Sequence, residues 1–312
     1  MSQAARMTGV LSPVVTPFKK DLSPDAARWI RHCKWLLSQN CGLAVFGTNS
    51  EANSLSVDER IELLEQLVAA KVDTTRMMPG TGCCAIPDTV KLTKHAVKLG
   101  VGGVLMLPPF YYKGVSDDGL YAAFSEVIQR VGDAKLKIYL YHIPPVANVP
   151  ISLALIARLI KAYPDTVVGI KDSSGEWKNT EAMLKEFPGW GVFSGSELVL
   201  LEVMKLNGAG CISATANINP GAIYQLFADW QSPQAPTLQE KMNDLRLAVA
   251  KFPVIPALKQ TIADHLDDPA WPTVRPPLTA LTQEQIVGLR ATLKDRGFTM
   301  PGIREIALQP AE

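Results

Sequence analysis

The chain has 312 residues, with 31 Lys plus Arg against 30 Asp plus Glu, a net charge of +1, 47% hydrophobic and 20% charged residues. That balance supplies a large core and excludes a disordered chain; it gives no basic or acidic field to attract nucleic acid or a membrane surface. The length suits a single α/β barrel with an appendage.

The opening stretch MSQAARMTGVLSPVV lacks a charged start, a long apolar stretch and a small-residue cleavage site, so no signal peptide is expected. Apolar runs such as Val101–Phe110 are too short to span a bilayer and carry Gly and Pro. A cytoplasmic, non-membrane protein is the expectation. β-rich runs then alternate with amphipathic segments. Gly9–Thr16 reads as a strand and Asp25–Ser38 as a helix after Ser23-Pro24; Gly42–Gly47 is the next strand and Val57–Lys71 the next helix. Ser56 with Glu59 forms a capping box on that helix. The strand Arg76–Gly80 leads to the helix Pro87–Leu99, with Gly100 placed for a left-handed C-cap. Gly103–Leu107 leads to Asp117–Val131, Lys137–His142 to Leu153–Ala162, and Val167–Lys171 to Asn179–Phe187. Gly191–Ser194 leads to Glu197–Leu206, closed by a similar cap at Gly208, and Gly210–Ser213 is the eighth strand.

Eight strands alternating with helices predict a (β/α)₈ TIM barrel. An open doubly wound sheet is the alternative, but no GxGxxG follows the first strand. Past Asn219 the strand signals stop, and Ala222–Trp230, Leu238–Lys251, Pro256–Leu266 and Thr282–Arg296 read as helices. The expected organisation is a barrel over residues 1–230 carrying the active site, then a C-terminal helical extension over 231–312. The five cysteines, Cys33, Cys41, Cys83, Cys84 and Cys211, are odd in number and contain no CxxC, which predicts buried reduced thiols.

In a barrel of this kind the C-terminal ends of the strands face the active-site mouth. The sixth strand ends Val167-Val168-Gly169-Ile170-Lys171. If Lys171 points inward, desolvation penalises its ammonium form, and a neutral amine can attack a ketone carbon. If it lies just past the strand end, it snorkels into solvent. On the fifth strand, period 2 puts Tyr139 and Tyr141 on one face, with Leu140 and His142 on the other. A phenol beside such a lysine can shuttle a proton; the alternative is a core tyrosine with its hydroxyl tied to backbone. Gly47-Thr48-Asn49-Ser50-Glu51 supplies hydroxyl, amide and backbone donors that can hold a carboxylate, although many strand-to-helix loops look similar.

Taken together, these motifs resemble the dihydrodipicolinate synthase and N-acetylneuraminate lyase family of class I pyruvate aldolases. The resemblance covers nearly the whole chain. It rests on Val15-Thr16-Pro17-Phe18, Gly47-Thr48-Asn49-Ser50-Glu51, Pro108-Pro109-Phe110-Tyr111-Tyr112, Tyr141 through Pro144, Gly169-Ile170-Lys171-Asp172 and Ser194-Gly195. It implies that Lys171 is the Schiff-base lysine and Tyr141 the proton-relay tyrosine. Thr48 would link Tyr141 to a second tyrosine lent by a neighbouring subunit, matched here by Tyr112. Thr48, Asn49 and Ser50 would hold the pyruvate carboxylate, and Ile212 would lie over the carbon skeleton. It further implies no cofactor and no metal, a small 2-oxo acid (pyruvate) and an aldehyde as substrates, and a homotetramer built as a dimer of dimers.

The pattern departs in two places. Dihydrodipicolinate synthases typically carry Arg five residues after the relay tyrosine, where this chain has Val146. They also typically carry Thr-Thr-Gly in the carboxylate loop, where this chain has Thr48-Asn49-Ser50, an arrangement similar to the 4-hydroxy-2-oxoglutarate aldolase branch. The expected activity is therefore an aldolase of that branch. The alternatives are 4-hydroxy-tetrahydrodipicolinate synthase, with His142 or Lys113 receiving the second carboxylate, and a 2-oxo-3-deoxy sugar acid dehydratase. A metal-dependent aldolase would need clustered ligands, and of His32, His95, His142 and His265 only His142 sits near a strand end. A barrel that has become a non-catalytic scaffold would not need Lys171, Tyr141 and Thr48 together.

Overall fold

The structure is a computed structural model and describes residues 6–307. Part of the stretch read for a signal peptide, residues 1–5, lies outside them. The strands are β1 (Gly9–Ser12), β2 (Gly42–Leu43), β3 (Val104–Met106), β4 (Ile138–His142), β5 (Val167–Asp172), β6 (Gly191–Ser194) and β7 (Gly210–Ile212). β2 pairs with β1, and the other strands lie in the order β7-β6-β5-β4-β3, with parallel pairing at each described register. The alternation of strand and helix is that of a (β/α)₈ barrel followed by C-terminal helices.

The expected third strand, Arg76–Gly80, is reduced to one bridge. Leu105 N donates to Pro79 O (2.9 Å) and Thr81 N to Leu105 O (3.0 Å), which pairs Gly80 with Leu105. Pro79 has no N–H to extend the ladder. The expected first strand likewise stops at Ser12, before Pro13, and the second stops at Leu43, short of Phe46 with its φ of +60°.

The chain forms two compact units. One runs to Gly9 and resumes over Asp73–Ile212; the other takes Val10–Val72 and continues from Ser213. The first unit holds β3 to β7. Its helices run over Ile86–Lys98, Asp117–Val131, Leu153–Ala162 and Trp177–Glu186, and each buries one apolar stripe, as an amphipathic helix does. The helix expected over Glu197–Leu206 begins as a 3₁₀ turn, Glu197–Val199, before Leu200–Lys205. Gly100 takes the left-handed cap (φ +74°), but at the next expected cap the position belongs to Asn207 (φ +57°). Gly208 is needed instead for closeness: a Cβ there would lie 2.3 Å from Val203 Cγ1.

The second unit opens with helix Ala26–Ser38, which buries Trp29, His32, Cys33 and Trp35. Helix Val57–Ala69 follows the expected capping box: Ser56 Oγ accepts from Glu59 N (3.1 Å) and Glu59 Oε2 accepts from Ser56 N (2.8 Å). Its C-terminal helices are Pro220–Ala228, Ala235–Val249, Val254–Leu266, Gln283–Lys294 and Ile303–Ala307. Cys33, Cys41 and Cys211 are buried as expected. Cys83 is half-buried and Cys84 exposed, because they lie in the bend before helix Ile86–Lys98 rather than inside it. Among the described residues no helix is long and apolar enough to cross a membrane.

Candidate active site

β4 and β5 pair in parallel with Tyr141 opposite Lys171 and His142 opposite Asp172, and β5 pairs with β6 so that Lys171 meets Phe193. Parallel partners point to the same face. Lys171, Tyr141 and Phe193 therefore form one layer. Ile212, two residues beyond the Gly210 that pairs with Phe193, points to that face from the end of β7. Lys171 is 2% exposed, so its side chain does not snorkel to solvent. Its Nζ lies 3.2 Å from the Tyr141 hydroxyl and 4.3 Å from the centre of the Tyr141 ring. Among the described residues it makes no ion pair.

The layer below is filled by Tyr139. Its neighbours in register are Leu105, Gly169 and Gly191. A Cβ on Gly169 would come within 2.5 Å of the Tyr139 ring, and one on Gly103 within 2.7 Å, so the glycines make the room that the ring occupies. The ring meets Phe193 edge-on at 5.7 Å, and its hydroxyl accepts from Met7 N (2.7 Å). Burial pushes that phenol up to about 12. The two tyrosines of one face thus divide the two sequence readings: Tyr139 is the core tyrosine tied to backbone, and Tyr141 is the one beside the amine.

Asp172 and His142 project from the other face. Asp172 is spent on local structure, accepting from Ser174 N (3.0 Å) and the Thr180 hydroxyl (2.6 Å). His142 is buried, and its Nδ1 accepts from Ile151 N (3.0 Å). Burial holds the imidazole below its ordinary value, against the pull of the Asp172 charge. The structure thus separates His142 from the Lys171–Tyr141 layer. Val146 is 58% exposed on the short helical turn Pro144–Ala147, which the sequence did not reveal. Lys113 Nζ donates to Ala147 O (2.7 Å) and to Phe110 O, tying that turn to the loop after β3. Tyr112 is 73% exposed on this loop, with its ring edge-on to Tyr111 at 5.4 Å.

In the second unit, the segment after β2 folds into a tight turn. Ser50 N and Ala52 N donate to Gly47 O, Glu51 N donates to Thr48 O (3.1 Å), and Thr16 Oγ1 donates to Ser50 O (2.8 Å). Thr48 and Asn49 are half-buried. Ser50 is buried with its hydroxyl accepting from Gly47 N (3.2 Å), so its side chain shapes the turn. Glu51 closes the turn with a left-handed backbone (φ +55°). Its carboxylate is paired with Lys259 Nζ and accepts from Arg275 N (2.9 Å). Burial pushes the Lys259 ammonium down to about 8, opposed by the Glu51 charge.

Residues 6–296 match the family model described as the dihydrodipicolinate synthetase family. The chain belongs to that family. A DapA-like lyase of Chloroflexus aurantiacus, itself uncharacterized, is 32% identical over 290 residues, 92% of this chain and 96% of that protein. The 4-hydroxy-tetrahydrodipicolinate synthase of Rhizobium meliloti is 30% identical over 299 residues, 93% and 98% of the two chains. The crystal structure of dihydrodipicolinate synthase from Agrobacterium tumefaciens superposes with a TM-score of 0.86 at 33% identity, covering 92% of this chain and 99% of that one. As a member of the dihydrodipicolinate synthetase family the chain is a lyase of the class I aldolase type, and the family's barrel is its fold.

Sequence reasoning placed Glu51 in the carboxylate loop without a role of its own and missed Lys259 and Arg275. Lys259 did carry a signal: it ends the largely apolar run Val254-Ile255-Pro256-Ala257-Leu258, much as Lys171 ends its own. Nothing in the sequence joins it to Glu51, 208 residues away.

Proposed function

We propose that this enzyme uses Lys171 to form a Schiff base with pyruvate, making or cleaving the C–C bond of a 2-oxo acid in the manner of 4-hydroxy-2-oxoglutarate aldolases. The observation that carries the reading is the buried Lys171 amine, 3.2 Å from the Tyr141 hydroxyl and without an ion pair among the described residues. An amine that burial deprives of hydration and no carboxylate neutralises is suited to attack a carbonyl carbon.

In the cleavage direction the Lys171 amine attacks the 2-oxo carbon, water leaves, and the protonated imine becomes an electron sink. Tyr141 takes the proton from the 4-hydroxyl, the C3–C4 bond breaks, and the aldehyde departs. The remaining enamine is protonated and hydrolysed to pyruvate. Thr48 and Asn49 bind the carboxylate, and Ile212 covers the carbon skeleton; these roles rest on the match of this sequence to the family's motifs. The exposed Tyr112 is assigned to a neighbouring subunit's site, within a cytoplasmic homotetramer.

Incubation with pyruvate and borohydride, followed by peptide mass spectrometry, tests the reading. One reduced pyruvate imine on Lys171 is expected, and its absence at saturating pyruvate overturns the assignment. A screen of aldehydes and 2-oxo acids coupled to pyruvate detection then selects the partner. Val146 supplies no cation for aspartate semialdehyde, which favours the aldolase over the synthase. Turnover of aspartate semialdehyde above all other aldehydes reverses that ranking, and pyruvate-free products from 2-oxo-3-deoxy sugar acids identify a dehydratase.

A further inference from the structure

We propose that Lys259 is a positioning residue for the turn that binds the pyruvate carboxylate: clamped between Glu51 and the Thr273 carbonyl, it holds Thr48 and Asn49 in their binding conformation. This rests on the aldolase reading above and extends the site into the C-terminal helices.

The turn ends at Glu51, whose left-handed backbone is disfavoured for a residue with a Cβ and persists only where surroundings hold it. Both of its carboxylate oxygens are held, Oε1 by Lys259 Nζ and Oε2 by Arg275 N (2.9 Å). Because Glu51 N donates to Thr48 O, fixing Glu51 also fixes the start of the turn. Lys259 is fully buried on helix Val254–Leu266. Its Nζ donates to Thr273 O (2.8 Å) and lies 4.6 Å from the centre of the Phe18 ring. Arg275 packs on the same ring at 4.7 Å and pairs with Glu59 of the capping box. The charged groups facing Lys259 are therefore Glu51 and Arg275, the first favouring its ammonium and the second opposing it. A buried ion pair brings little net stability over apolar side chains of similar size, and its attested use is to fix one geometry. Here the geometry fixed is that of the turn carrying Thr48 and Asn49.

The test measures the pyruvate concentration that half-saturates borohydride trapping, read by intact mass spectrometry, together with the maximal adduct and the melting temperature. Lys259→Met is expected to raise the half-saturating concentration about tenfold to a hundredfold, the scale of a displaced binding group, while the maximal adduct on Lys171 stays near the wild-type level. The double variant Glu51→Gln/Lys259→Met leaves no unpaired charge, so it is expected to recover the melting temperature but not the affinity. It decides the question if Lys259→Met does not fold. In wild type the half-saturating concentration should rise above about pH 8, where Lys259 releases its proton, and the double variant should lack that added rise. A folded Lys259→Met or double variant with wild-type half-saturation overturns the proposal while leaving the aldolase reading standing. No adduct in wild type removes the aldolase reading and this inference together.

Discussion

Among the described residues two lysines are buried, and their surroundings are opposite. Lys259 sits on a C-terminal helix with its ammonium given to a carboxylate and a backbone carbonyl. Lys171 ends β5 with a phenol as its polar neighbour and no ion pair among the described residues. Burial penalises the charged form of Lys259. At Lys259 the fold answers with Glu51. At Lys171 no carboxylate is supplied among the described residues, and a buried amine kept that way serves a reaction better than it serves the fold. Such a division of roles agrees with the general tendency for destabilised groups to be retained where function needs them.

The largest effect is expected from Lys171→Ala. Turnover and the borohydride adduct should both vanish while circular dichroism stays that of wild type; substantial residual turnover removes Lys171 from the chemistry. Next comes Tyr141→Phe, which keeps the ring beneath the amine and deletes the hydroxyl. A loss of roughly 10²–10⁴-fold in kcat is expected, the scale of one general acid–base group. Stability then sharpens the contrast through its sign. Lys259→Met should lower the unfolding free energy by about 3–5 kcal/mol, because Glu51 is left buried and charged. Lys171→Met should leave it unchanged or raise it, since no opposite charge is stranded. Urea denaturation of the pair tests this, and equal losses at the two sites would erase the distinction.

A third buried base provides the smallest test. His32 is buried beside Asn217, and burial pushes it down to about 4. The folded protein therefore refuses a proton that the unfolded chain accepts below its ordinary value of 6.5. Stability should fall as pH drops from 6.5 towards 4, by up to about 3 kcal/mol from this group. His32→Gln should lose less over the same window, as followed by thermal melts at stepped pH. Parallel acid limbs in the two proteins would rule the group out.

The sequence exposed the parts of the fold that depend on period. The Tyr139/Tyr141 face of β4, the Ser56–Glu59 capping box and the Lys at the end of β5 are all local patterns. What it concealed depends on partners distant in the chain. Nothing near Pro79 shows how few ladder bonds that segment makes until Leu105 is placed beside it. Nothing near Tyr139 distinguishes it from Tyr141 until Gly103, Gly169 and Gly191 are seen to make room for its ring. The Glu51–Lys259 pair closes across most of the chain, so the C-terminal helices looked like an appendix rather than support for the turn.

Asp172 directly follows Lys171, yet strand alternation sends its carboxylate to the opposite side, where Ser174 and Thr180 occupy it. One residue inserted or deleted within β5 would exchange the two, turning the acid inward and the amine outward. The spelling of this strand is thus as strict as the identity of its lysine: lengthening a surface loop is a tolerable edit, whereas a single-codon shift here would replace a nucleophile with its chemical opposite.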